Sequence, residues 1–239
     1  FGQAPKFPSP HNFLFLLRYW KRTGDAQALQ MVEETLQSMR RGGIYDHIGF
    51  GFHRYSTDAK WIVPHFEKML YDQAMMALAA IELYQATGKK EYETTAREIF
   101  TYVLRDMTDK EGGFFCAEDA DSEGVEGKFY LWTPEEIRSV LNKNEADLFL
   151  SLYKHDADLE VHGMQEIPAG HFIPHLPALT CSEKESAETL SMLEGIRKKL
   201  YLLRVKRVHP HKDDKILTDW NGLMIAAFAR GAQVFRSEE

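Results

Sequence analysis

Apolar residues recur at helical spacing along most of this chain. Between His11 and Arg22 they fall at Phe13, Leu14, Leu16, Leu17 and Trp20, a stripe that the run Thr23-Gly24-Asp25 interrupts. Ala26 to Arg41 carries Leu29, Val32, Leu36 and Met39 on one face, and Gly42-Gly43 closes it. Pro64 to Ala86 reads as a third helix, with Pro64 in its first turn and Leu70, Met75 and Leu78 turned to the core. Glu91 to Met107 reads as a fourth, again ended by a glycine pair, Gly112-Gly113. A unit of helix, Thr-Gly turn, helix, glycine pair and aromatic, acidic loop thus occurs twice. A third unit opens at Trp220 to Phe235, whose apolar pattern echoes the helix after Pro64. Repeated helical hairpins imply a stacked or closed α/α array.

The period changes between Gly112 and Thr133. Gly113 to Phe115 and Lys128 to Trp132 read as two short strands around an acidic turn. Thr133, Pro134 and Glu136 then give a capping box with proline in the first position. His155 to Pro177 reads as loop, and Ser182 to Val205 as a helix with a solvated Glu/Lys/Arg face. His209 to Gly222 is a loop entering the last helix.

Composition narrows the class. With 239 residues, 44% hydrophobic and 27% charged, the chain is expected to be a soluble globular domain. A net charge of −7 argues against nucleic-acid and anionic-membrane partners, which want a basic surface. No apolar run has membrane-spanning length and no signal peptide is visible. The two cysteines, Cys116 and Cys181, form no CxxC, which fits a reducing cytoplasm. Both ends look cut, so the chain is expected to be a single-domain piece, residues 1–239, of a longer protein whose exposed flanks favour self-association.

The unusual residues cluster in the loops that follow each second helix. The densest stretch is "GFGFHRYSTDAKWIVPHFEKMLYDQA", Gly49 to Ala74. Loops rich in aromatics and carboxylates at one end of an α/α array suit a sugar: flat rings pack on its C–H face, and carboxylates accept its hydroxyls or do acid/base work.

The runs "APKFP" (Ala4 to Pro8), Gly42 to Ala74, Gly112 to Ile137 and "DDKILTDWNGLMIAA" (Asp213 to Ala227) resemble the DUF255, YyaL-like family of spermatogenesis-associated thioredoxin-like proteins. The resemblance spans nearly the whole chain. It departs at Phe50, where a glycine is common, and across His162 to His175. It implies an all-α fold, part of an (α/α)6 toroid like N-acylglucosamine 2-epimerases and six-hairpin glycosidases, with a small β-hairpin insertion. It also implies that a thioredoxin-like domain precedes this segment and is a partner of it, and that the rest of the toroid follows.

Each candidate residue carries two readings. Glu67 and His65 are either first-turn residues of the helix from Pro64, where the dipole favours an acid, or substrate-facing groups. Lys68 and Asp72 are expected to form an i,i+4 pair. Because the similar epimerases use histidines as bases, His53 and His65 are the candidate bases, against the alternative of bonding loop backbone. Asp119, Asp121, Glu123 and Gly124 have calcium-loop spacing, but the twelfth position is Tyr130 and strands flank it, which argues against an EF-hand. Asp119 and Asp121 are then turn residues or acid/base partners of Glu67 at a cavity mouth. Asp214 is a further candidate acid/base. Arg54, Tyr55, Trp61, Trp220 and Asn221 are candidate sugar contacts, Trp61 and Trp220 being equally natural core residues. No metal or cofactor is expected: the histidines between 155 and 175 lack ligand spacing, and no phosphate loop is present. Cys116 reads as a small buried residue. The expected activity is a sugar epimerase or glycosidase type of acid/base chemistry. The competing expectation is a non-catalytic scaffold coupled to the thioredoxin-like domain. If Glu67, Asp121, Asp214 and His53 share one cavity, the enzyme gains; if they are dispersed or salt-bridged to Lys68 and Lys215, the scaffold does.

Overall fold

The computed structural model describes residues 3–153, 167–176 and 187–236. Its frame is two helical hairpins, α1 (Pro10–Thr23) with α2 (Ala26–Arg41) and α3 (Leu70–Thr87) with α4 (Lys90–Asp106). Their turns are copies of one another. Gly24 and Gly88 cap in the left-handed conformation, with φ of 76° and 70°. Thr23 and Thr87 each donate to the carbonyl four residues back, at 2.8 Å, and accept the amide two residues on, at 3.2 Å. The repeat read from Thr-Gly is therefore a repeat of hydrogen bonds.

Helix α3 is apolar all round because it is enclosed all round. It packs against α1, α4 and the last helix, α8 (Thr218–Phe235). Leu70, Ala74, Met76, Ala77, Ala80, Ile81 and Leu83 have no exposed surface. A second core forms where α5 (Pro134–Val140), α6 (Lys143–Leu152) and α7 (Ala187–Arg204) enclose Trp132, Ile137, Phe149 and Leu200. The Thr133 capping box is present, and Asn142 with Glu145 makes another. This is the helical-hairpin architecture of part of an α/α toroid, with small β insertions. Among the described residues no helix is long and apolar enough to cross a membrane.

Three sequence expectations are corrected. The third helix starts at Leu70, not Pro64. Pro64–His65 (β2) pairs instead with Tyr55–Ser56 (β1), and Lys68–Met69 (β3) enters a sheet. The backbone from Pro64 to Met69 finds cross-strand partners, so the helix begins only at Met69, an N-cap without a side-chain bond. The β residues of the acidic segment are also displaced: Ala117–Glu118 is β4, and Asp121–Ser122 (β5) pairs with Val125–Glu126 (β6) about the turn at Glu123-Gly124. Thirdly, α4 ends at Met107, ahead of Gly112-Gly113. The other pair, Gly42-Gly43, serves close approach: a Cβ on either would lie 2.1 Å from the carbonyl oxygen of Trp61 or Ile62. Cys181 and the histidines at 155 and 162 lie outside the described residues.

Candidate active site

Three loops converge on one small sheet, in the order β3-β4-β7, where β7 is Lys212–Asp213. Its register puts Met69, Ala117 and Asp213 in one row and Lys68, Glu118 and Lys212 in the next. Successive residues of a strand face opposite sides, so the rows have opposite fates.

The first row floors an open cleft of about 540 Å³. Its walls carry Glu67, Asp119, Asp213 and Asp214, with Lys215, His211, Cys116 and Trp220. The Trp220 ring meets Tyr71 edge-on, with centroids 4.8 Å apart. Glu67 is held by Arg54, whose Nη1 donates to its Oε2 at 2.7 Å, and lies 3.7 Å from His65 Nε2. His65 and Arg54 together keep Glu67 below the ordinary carboxylate range. His65 in turn donates from Nδ1 to Glu126 at 2.7 Å and stacks on Tyr55 at 4.9 Å. With Glu126 and then Glu67 as partners, its imidazolium is favoured and its pKa rises to about 9. His65 is thus a cation at neutral pH, and a base only above it.

The second row faces the interior and is charged. Lys68 is 1% exposed and donates to Asp46 Oδ2 and to the Phe50 carbonyl, each at 2.8 Å. Arg204 reaches Asp46 with both terminal nitrogens at 2.8 Å, and Glu118 accepts from Tyr130 and Lys212. Burial alone would raise the Asp46 pKa; Arg204 and Lys68 outweigh it and hold it well below the usual range. Burial pulls Lys68 down to about 8. Phe50, at the bend of this loop, has φ 70°, a conformation that favours glycine. That is the position where the resembling family commonly has one.

The sequence candidates therefore separate. Glu67, Asp119, Asp214 and Trp220 meet in the cleft, and Arg54 and His65 stand behind Glu67. His53 does not join them: it is 2% exposed, bonds Phe66 O at 2.9 Å through Nδ1, and burial followed by the Lys68 charge pushes its pKa well down. Trp61 is a core residue with Lys6 over its ring. Tyr55 packs on Phe7 and His65. Asp121 is exposed on the β5–β6 hairpin, away from Glu67's cleft wall. Asn221 holds the chain, exchanging two 2.9 Å bonds with the backbone of Phe114. The expected Lys68–Asp72 pair is absent, because Lys68 lies in a strand and turns to Asp46. Asp213 rather than Asp214 pairs with Lys215, at 2.8 Å. Cys116 is buried, and burial together with the Asp213 carbonyl raises its thiol to about 11. Among the described residues no cluster of three or more His, Cys, Asp or Glu side chains is arranged to hold a metal ion.

Asp72 was missed as a site residue. Its side chain is 6% exposed, beside Arg54 and Glu67. The signal was present: a lone carboxylate in the otherwise apolar run "LYDQAMMALAAIELY" has no solvated face to occupy.

Fold and cleft together define a helical-hairpin protein whose loop end is gathered by a short β-sheet into a carboxylate-lined cleft. No family model matches the chain. Spermatogenesis-associated protein 20 of Homo sapiens is 38% identical over 258 residues, covering 96% of this chain and 33% of that protein. The chain belongs to the family of that protein, the DUF255 group, and spans about a third of the length of the curated relatives it matches. Among solved structures, a cellobiose 2-epimerase from Spirochaeta thermophila aligns with 48% of this chain and 29% of its own at 20% identity and a TM-score of 0.44. A family 76 glycoside hydrolase (mannosidase) from Bacteroides thetaiotaomicron aligns with 98% and 56% at 13% identity and a TM-score of 0.45.

Proposed function

We propose that the cleft binds a saccharide and does acid/base chemistry on it. The observation that carries this reading is the lining itself: Trp220 beside four carboxylates in a volume of about 540 Å³, the size of small-ligand sites. An aromatic ring takes the C–H face of a sugar, and ionised carboxylates accept its hydroxyls. Glu67, kept ionised, is the acceptor or base; Asp119 and Asp214 complete the acidic wall. Excess negative charge over the single Lys215 disfavours anionic sugars.

The scaffold reading draws on a different observation. Glu67 and Asp213 are already paired with Arg54 and Lys215, and His53 and Asp121 lie elsewhere. In that case the loops serve a protein partner such as the thioredoxin-like domain. A thermal-shift panel of neutral mono- and disaccharides separates the two. A ligand at about a hundred times its dissociation constant adds roughly 2.7 kcal/mol, a shift of several degrees. The expected result is a shift with one sugar class that Glu67→Gln abolishes and Asp121→Asn keeps. No shift with any sugar sinks the saccharide reading.

A further inference from the structure

Asp72 opens the first turn of α3, one residue after Tyr71, whose ring touches Trp220 in the cleft. It lies next to Glu67, which forms the cleft wall. Two buried polar atoms in this corner have no partner within the protein: the acceptor Oδ2 of Asp72 and the donor Nε of Arg54. Buried polar groups are nearly always satisfied, so an open acceptor and an open donor in one corner point to a group that can serve both. A hydroxyl does this, accepting from Arg54 and donating to Asp72.

The carboxyls of the corner differ in environment. Glu67 has a guanidinium at 2.7 Å and an imidazolium at 3.7 Å. Asp72 has neither as a bonded partner. Facing it are Arg54 and Glu67 from the preceding segment and Tyr71 from its own helix, while α8 presents Trp220 to Tyr71. Burial, offset in part by Arg54 and reinforced by the Glu67 charge, lifts Asp72 to about 7. Two neighbouring carboxyls pushed apart in this way form an acid and base pair.

We propose that Asp72 is the proton donor of the cleft and Glu67 its ionised counterpart, an assignment that rests on reading the cleft as a saccharide site. The proton passes from Asp72 to an oxygen of the ligand, leaving a carboxylate beside Arg54, and is regained from solvent. His65, already cationic and clamped between Glu126 and Glu67, positions Glu67.

Carbodiimide labelling of the ligand-free chain with peptide mass spectrometry tests this. Dicyclohexylcarbodiimide reacts with the protonated carboxyl: the acid proton moves to a carbodiimide nitrogen, the carboxyl oxygen bonds to the central carbon, and the adduct rearranges to a stable N-acylurea. The expected adduct is on Asp72, falling about tenfold between about pH 6 and about pH 8, with none on Glu67. Asp72→Asn removes it. An unlabelled Asp72 in the folded chain, or equal labelling of Glu67, overturns the assignment. The sugar panel is scored separately. If Asp72 labels and no sugar binds, the saccharide reading fails while the proton-holding role of Asp72 stands. If a sugar binds without protecting Asp72 from the reagent, Asp72 does not face the ligand and the assignment is lost.

Discussion

Asp46→Asn removes the one anion between two buried cations. Asp46 side-chain exposure is 4%, and its partners Lys68 and Arg204 are 1% and 3% exposed. The wild-type carboxylate accepts from Lys68 once and from Arg204 twice, all at 2.8 Å, and also from the amides of Ile48 and Gly49 at 3.0 and 2.9 Å. Asparagine keeps the shape and one acceptor oxygen. It loses the charge and turns an amide donor toward a cation. Breaking a buried pair by neutralising one partner costs about 3–5 kcal/mol, because the remaining charge is uncompensated. Here two cations remain, and Lys68 loses part of the cost by giving up its proton more readily. The expected loss is therefore about 3–4 kcal/mol at neutral pH. Equilibrium urea unfolding followed by tryptophan fluorescence measures it, with Lys90→Ala as the surface control. Lys90 is 78% exposed, and its pair with Glu93 is worth only a few tenths of a kcal/mol. The wild-type contribution of Asp46, whose folded pKa is depressed, is present above the unfolded carboxylate range and is lost as pH falls through the folded value. A loss under about 1 kcal/mol with an unchanged urea slope would refute the idea that this triad holds the loop.

His65→Gln should cost about 1–2 kcal/mol near pH 6, discounted for the partial exposure of the ring, and progressively less above. The sign follows from a folded pKa of about 9 over an unfolded value near 6.5: the stabilisation is complete below the latter and fades as pH rises through the former. Melting temperatures across that window decide it, and a difference independent of pH counts against the imidazolium. Asn221→Leu strands the Phe114 amide and carbonyl and should cost about 2 kcal/mol in urea unfolding; a neutral outcome means that water replaces the clamp.

The helices were legible because an apolar stripe repeats every three to four residues over many turns, as in "LQMVEETLQSM" of α2. The turns were legible because Gly24 and Gly88 need a left-handed conformation and the preceding threonines bond backward. Strands of two residues have no period to read, so β2 and β3 were absorbed into the helix that follows them. That error moved His65, Glu67 and Lys68 onto a helical face they do not share. The charged interior was illegible for another reason. Asp46, Lys68, Glu118 and Arg204 are each ordinary surface residues in isolation, and only the register of three distant strands shows that they meet. Among the site residues, Glu67, Asp119, Asp214 and Trp220 were readable as loop carboxylates and an aromatic near a helix start. His53 and Trp61 carried the same signal and turned out to be interior packing.

The sheet that floors the cleft joins Lys68–Met69, Ala117–Glu118 and Lys212–Asp213, so its last strand arrives most of the chain later than its first. The helical hairpins, by contrast, close through short turns. Local contacts form early and loop closure over long separations is slow. The hairpins of α1 to α4 can therefore be in place on a growing chain while the cleft still lacks its third edge. The cleft is a late product of folding, and affinity for its ligand is a property that appears only after β7 has docked.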